Sequence, residues 1–245
     1  MAKRQSLLNR ASSLWLAPAR LFTLIFHVAG LERFFKPRFY GHVMMPGVND
    51  ELIARLPKYS QSISGADNEP VNLVLVGSEE AVKRSFEATG WYLAGSASPL
   101  NVVYALFVSI IGKSYKKGPF SPLYINGNIQ DYGFQKPTVQ NNFRLRHHLR
   151  IWKTGLVLPN QKPVWVVTAS LDVKMRLSFT IPFIVHDIAA DLDAERKFVV
   201  DSLVKVGATE YKSVSMVEPV SADRPVKNVF GSAYFTDGRA AVVEL

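Results

Sequence analysis

The spacing of apolar positions changes several times along the chain, and each change marks an element. Leu7, Ala11, Leu14, Pro18, Leu21, Ile25 and Val28 recur every three or four residues. Leu8, Trp15, Phe22 and Ala29 widen that stripe, while Ser13, Arg20 and His27 fall opposite, as in an amphipathic helix. Pro18 is expected to kink or split it. Within 41–58 the pattern predicts one short helix, capped by Asn49 or Asp50, with Leu52, Ile53 and Leu56 on its apolar side. Residues 59–69, YSQSISGADNE, read as a polar linker. Val71–Val76 is a nearly continuous apolar run, expected to be a strand buried on both faces. Ser78 then caps a helix from Glu79 to Thr89, ended by Gly90. Leu100–Ile111 predicts a helix that is apolar nearly all round. Pro122–Ile125 predicts a short strand, Asn126-Gly127-Asn128 a turn, and 130–137 a loop or edge strand. Residues 143–152 and 163–175 form an expected hairpin across a loop at 153–162. An acidic start at Asp187, Asp191, Asp193 and Glu195 opens a helix over 187–206, ended by Gly207. Lys212–Val217 reads as a strand. Val229–Phe235 and Ala240–Val243 form an expected closing hairpin around Asp237-Gly238, a type I′ signal.

These elements predict an α+β fold: a mixed, mostly antiparallel sheet with packed helices, forming a single domain behind an N-terminal amphipathic helix. The expected organisation is an arm at 1–40, a short helix and linker at 41–69, and the α+β domain at 70–245.

Candidate chemistry concentrates in Arg144-Leu145-Arg146-His147-His148-Leu149-Arg150-Ile151-Trp152. Read as a strand, period two puts Leu145, His147, Leu149 and Ile151 on one face. Arg144, Arg146, His148, Arg150 and Trp152 take the other. Like charges two residues apart sit roughly 7 Å from one another and repel. Carboxylates or a bound anion make such an arrangement favourable. The first hypothesis is therefore an anion site of Arg144, Arg146, His148 and Arg150, with Trp152 packed on the ligand. The second is an internal network in which these arginines pair with Asp172, Asp187, Asp191, Asp193 or Glu195. Asp131, Asp172, Asp187 and Asp191 are the supporting acids, and pairing across the hairpin brings Asp172 or Ser170 toward the arginine face in some registers. The third is an enzyme with His148, His186 and Asp187 as candidate acid–base groups. Adjacent His147 and His148 point to opposite faces, and neither HExxH nor GxSxG occurs, so no metal and no cofactor are expected.

Composition adds location. Residues 1–40 hold seven Lys/Arg and one acid, so the arm carries most of the net charge of +9. A basic, apolar arm favours a membrane surface with anionic lipid over nucleic acid, for which no binding signature follows. Its longest uncharged stretch, Leu21–Leu31, falls short of the roughly 20 residues of a span. An in-plane anchor, a tilted span, a helix docked on its own domain and a cleaved signal remain open. The chain contains no cysteine, which excludes disulfides and thiol chemistry.

The spacing Gln130-Asp131, Arg144-x-Arg146-His147-His148-x-Arg150-x-Trp152, Trp165-x-x-Thr168-Ala169-Ser170-x-Asp172, His186-Asp187, Asp191-x-Asp193-x-Glu195-Arg196 resembles the LssY C-terminal domain family over about residues 68–245. In that family the domain often follows multi-span membrane modules, some similar to DedA proteins or lipid-phosphate phosphatases. The resemblance implies an envelope or secretion setting and no particular reaction. This chain has only the short arm in place of such a module, so a module's function does not transfer. The expectation is a membrane-associated, bacterial-type envelope protein whose partner is anionic lipid or a phosphorylated small molecule. The alternatives are a hydrolase of a phosphorylated or glycosylated envelope lipid, and a protein-interaction subunit with unknown partners.

Overall fold

The computed structural model describes residues 17–28, 41–95, 104, 118, 120–142, 145–177 and 184–245. Its helices are α1 (Ala17–Val28), α2 (Asp50–Arg55), α3 (Glu79–Ala88) and α4 (Leu192–Val204). Its strands are β1 (Val43–Met44), β2 (Tyr59–Gln61), β3 (Asp67–Pro70), β4 (Leu73–Val76), β5 (Tyr92–Leu93), β6 (Tyr124–Ile125), β7 (Asn128–Ile129), β8 (Tyr132–Asn142), β9 (Leu145–Leu158), β10 (Lys162–Leu177), β11 (Ile184–Ile188), β12 (Thr209–Ser215), β13 (Val226–Lys227), β14 (Ala233–Tyr234) and β15 (Arg239–Glu244). The expected helix at Leu100–Ile111, Tyr104 excepted, and most of the arm lie outside the described residues.

The main sheet runs β12-β15-β4-β10-β9-β8-β5, with β1 added parallel to β9 and β11 antiparallel to β10. Only β15–β4 and β1–β9 pair in parallel, so the α+β class with a mixed, mostly antiparallel sheet holds. Alternation sorts the centre of the sheet cleanly. Val74, Val76, Trp152, Val164, Val166 and Val242 pack on one face with Leu52, Leu56, Leu123 and Ile125. Leu73, Leu75, Leu149, Ile151, Trp165, Val167 and Val243 pack on the other under Val82 and Phe86 of α3 and Val199 and Leu203 of α4. Each valine or leucine buried this way contributes about 1.5–3 kcal/mol, which is why β4 is apolar at every position. The caps fall where expected: Asn49 Oδ1 accepts from Leu52 N and Ser78 Oγ from Ala81 N.

Five expectations change. Residues 59–69 are not a linker: they contribute β2 and β3 to a second sheet of order β3-β2-β6-β7, with Ser60, Asn68 and Glu69 buried. Residues 132–142 form β8, an inner strand between β9 and β5, because Phe134 fills the α3 face of the core. The hairpin strands extend through the expected loop, and the turn shrinks to Pro159–Gln161, where Asn160 and Gln161 adopt φ of 62° and 59°. His186-Asp187 lies in β11, and the helix starts only at Leu192, capped by Asp191. The closing hairpin does not form. Gly238 has φ of 76° but Asp237 is not in the left-handed region, so the type I′ turn is absent. The run Ala240–Val243 is apolar on both sides and enters the sheet between β4 and β12, while β14 pairs with β13.

Candidate functional site

Beyond the end of β4, strands β9 and β10 continue as a pair and one face turns polar. Arg146, His148 and Arg150 of β9 stand opposite Asp172, Ser170 and Thr168 of β10. The order of the polar residues along β10 mirrors that along β9, and antiparallel register brings them together. Asn72, just ahead of β4, pins β10 at this point. Its Oδ1 accepts from Ala169 N and its Nδ2 donates to Ala169 O, each at 2.9 Å. On the other side β8 places Gln135 opposite His148 and Gly133 opposite Arg150. Gly133 is required there: a Cβ would lie 2.3 Å from the Phe120 ring. Phe120 fills the vacated space, with the guanidinium carbons of Arg146 and Arg150 each 5.2 Å from its centroid, within cation–π range.

The polar groups form a buried chain. Arg146 Nε donates to Asp172 Oδ2 at 2.9 Å, and its Nη1 donates to Gln135 Oε1 at 2.6 Å. His148 Nδ1 sits 2.9 Å from Asp172 Oδ1, an ion-pair distance without hydrogen-bond alignment. His186 Nδ1 lies 3.3 Å from Asp172 Oδ2. On the far side of the ring, His148 Nε2 meets Ser170 Oγ at 3.0 Å and Arg150 Nη1 at 3.1 Å. Guanidinium nitrogens only donate, so Nε2 is the acceptor and the ring proton rests on Nδ1, toward Asp172. With Nε2 engaged, the Ser170 hydroxyl donates to Glu69 Oε2 at 2.9 Å, and Asn68 Nδ2 donates to Glu69 Oε1.

Burial sets the electrostatics. For Asp172, burial alone would raise the carboxyl, but His148, His186 and Arg146 outweigh it and hold the group well below the usual carboxylate range. Burial pushes His186 down to about 4, against the pull of Asp172. Burial also lowers Arg150, helped by Arg146 and opposed by the charges of Glu69 and Asp172. Arg150 is 7% exposed, and among the described residues no carboxylate comes within ion-pair distance of it. Its Nε has no hydrogen-bond partner, and neither do Thr168 Oγ1, its cross-strand neighbour, and Asn68 Oδ1.

Of the residues expected in the site, Arg146, His148, Arg150, Asp172 and His186 converge. Arg144 lies outside the described residues. Trp152 follows the alternation but reaches the apolar centre of the sheet, 1% exposed, so it packs core and not ligand. Asp131 accepts from Lys153 N, Asp187 accepts from Ser232 Oγ, and Asp191 caps α4, so these three serve local structure elsewhere. On the opposite face His147 binds Glu195 at 2.8 Å and stacks on Phe198 at 3.9 Å, tying α4 to the sheet. Among the described residues no group of three His, Asp or Glu side chains is arranged to hold a metal ion. Glu69, Phe120, Gly133 and Gln135 were missed. Glu69 stood in a stretch that reads as polar surface, and Gln135 in one that reads as loop. Only the matching alternation of Thr168, Ser170 and Asp172 was there to be found.

The domain is thus an α+β sheet whose polar end gathers two arginines, two histidines and an aspartate. The chain belongs to the family described as LssY C-terminus, which matches residues 53–240. That match begins inside α2, ahead of the start expected from the motif spacing. No curated protein and no solved structure matches the chain.

Proposed function

We propose that this protein binds an anionic, phosphate- or carboxylate-bearing group at the polar end of β9 and β10, working at a membrane surface of a bacterial-type envelope. The observation that carries the reading is Arg150. Its guanidinium is desolvated beside Arg146, meets no carboxylate at contact distance among the described residues, and keeps Nε without a partner next to the equally unpartnered Thr168 hydroxyl. An oxyanion supplies the charge and the acceptors that this corner lacks. Arg146, by contrast, is engaged by Asp172 and Gln135 and shapes the site.

A second reading, hydrolysis of an anionic ester, is favoured by one arrangement. Ser170 Oγ, His148 Nε2, His148 Nδ1 and Asp172 follow one another in the order of a nucleophile, a base and its orienting acid. Ser170 is fully buried and its proton faces Glu69, which favours binding over attack. One titration separates the readings. Inorganic phosphate is expected to bind the full chain saturably by calorimetry, and Arg150→Met to weaken it about tenfold or more. Ser170→Ala is expected to keep that binding. Undiminished affinity in Arg150→Met, or no binding by the unmodified chain, overturns the anion site. Turnover of p-nitrophenyl phosphate that Ser170→Ala abolishes replaces it with the hydrolase.

A further inference from the structure

Helix α1 is docked on its domain through polar side chains. Among its described side chains Arg20 and Thr23 are buried, 0% and 1% exposed. Arg20 Nε donates to Ile63 O at 2.9 Å, and Thr23 Oγ1, 3.0 Å from both Ala19 O and Arg20 O within the helix, also lies 3.2 Å from Gly127 O. The helix is thus latched by a polar bond to the β2–β3 loop and rests against the β6–β7 turn. Leu21, Phe22 and Ile25 face outward, 54%, 44% and 55% exposed, and Ile63, whose carbonyl holds Arg20, is 45% exposed. A helix stabilised by packing on its own domain turns such a stripe inward. Here apolar side chains of α1 face outward, and Ile63, beside the polar latch, is exposed as well.

The occupant that fits this surface is lipid with anionic headgroups. The longest uncharged stretch of the arm, Leu21–Leu31, falls short of the roughly 20 residues that a membrane span requires, which favours a helix lying in the plane of an interface. The first 40 residues carry seven Lys/Arg and one acid, the charge that complements anionic headgroups. We propose that α1 inserts Leu21, Phe22 and Ile25 into an anionic lipid surface while still latched to the domain, so that Ile63 enters with it and the protein lies in one fixed orientation. The proposal rests on the membrane half of the function above and adds the surface, the lipid charge and the orientation.

The test exploits the absence of cysteine from the chain. Ile63→Cys and Val204→Cys give single sites for an environment-sensitive dye in the full chain. Val204 ends α4, on the opposite side of the main sheet, and is itself exposed. Each labelled protein is mixed with vesicles of phosphatidylcholine alone or with added phosphatidylglycerol, and sedimentation is measured in parallel. The expected result is sedimentation only with phosphatidylglycerol, a blue shift at position 63 and none at 204, and at least a tenfold loss of sedimentation in Leu21→Glu/Ile25→Glu. Sedimentation without a shift at 63 means the helix leaves the domain, which overturns the latched orientation and leaves membrane binding standing. No sedimentation with either vesicle overturns the membrane reading itself. A shift at 63 that grows with protein concentration in the absence of vesicles assigns the surface to a second copy of the chain and overturns the lipid proposal.

Discussion

Asp172→Asn is expected to cost about 3–5 kcal/mol of folding stability, the largest loss from any single polar substitution at the sheet end. Asp172 is in contact with Arg146, His148 and His186, and it is 1% exposed. Burial alone would make it an unwelcome charge. Its depressed ionisation says that the facing imidazoles and the Arg146 guanidinium more than offset that cost. Asparagine keeps the shape and removes the charge, leaving Arg146 desolvated against a neutral amide. Equilibrium denaturation in urea reads the difference. A change under 1 kcal/mol would mean that solvent screens the cluster, contrary to its burial.

Acid should unfold the protein in two stages, and His186 accounts for the first. Its folded value near 4 lies below the ordinary histidine value, so between about pH 6.5 and 4 the unfolded chain binds the proton that the folded protein excludes. Stability is therefore lost as the pH falls through that window. The total is about 3 kcal/mol from this group. Asp172 acts below it: its contribution is complete above the ordinary aspartate value and disappears as the pH drops toward its depressed folded value. Denaturation midpoints between pH 7 and 4, compared for the wild type and His186→Gln, isolate the first stage. The slope should flatten in the variant. Parallel curves would place the histidine in solvent.

The parts of the fold that showed in the sequence are those whose burial is written locally. The double-faced apolar run at β4, the Asn49 and Ser78 caps, and the alternation of β9 each rest on neighbours within a few residues. The parts that did not show depend on partners far along the chain. Ala240–Val243 reads equally well as a hairpin arm and as a sheet centre, and only the presence of β4 and β12 on either side decides it. Residues 59–69 look like surface because Ser60, Asn68 and Glu69 are polar, yet Glu69 is buried by its bond to Ser170, a hundred residues away. The site divides the same way. The arginine face was legible, while its pairing with Asp172, the space left by Gly133 and the exclusion of Trp152 were set by register and by where along β9 the apolar core begins.

In the proposed function Arg150 is kept for a ligand and not for the fold. Burial lowers its ionisation despite the nearby carboxylates, so the folded, unliganded protein carries this charge at a loss. The most direct test is the melting temperature of Arg150→Met against the wild type, both without added anion. An equal or higher midpoint is expected in the variant, since methionine fills the space beside Phe120 without a charge to desolvate. A midpoint lower by several degrees would show that the guanidinium holds the sheet end together, and would return the arginine strand to a purely structural role.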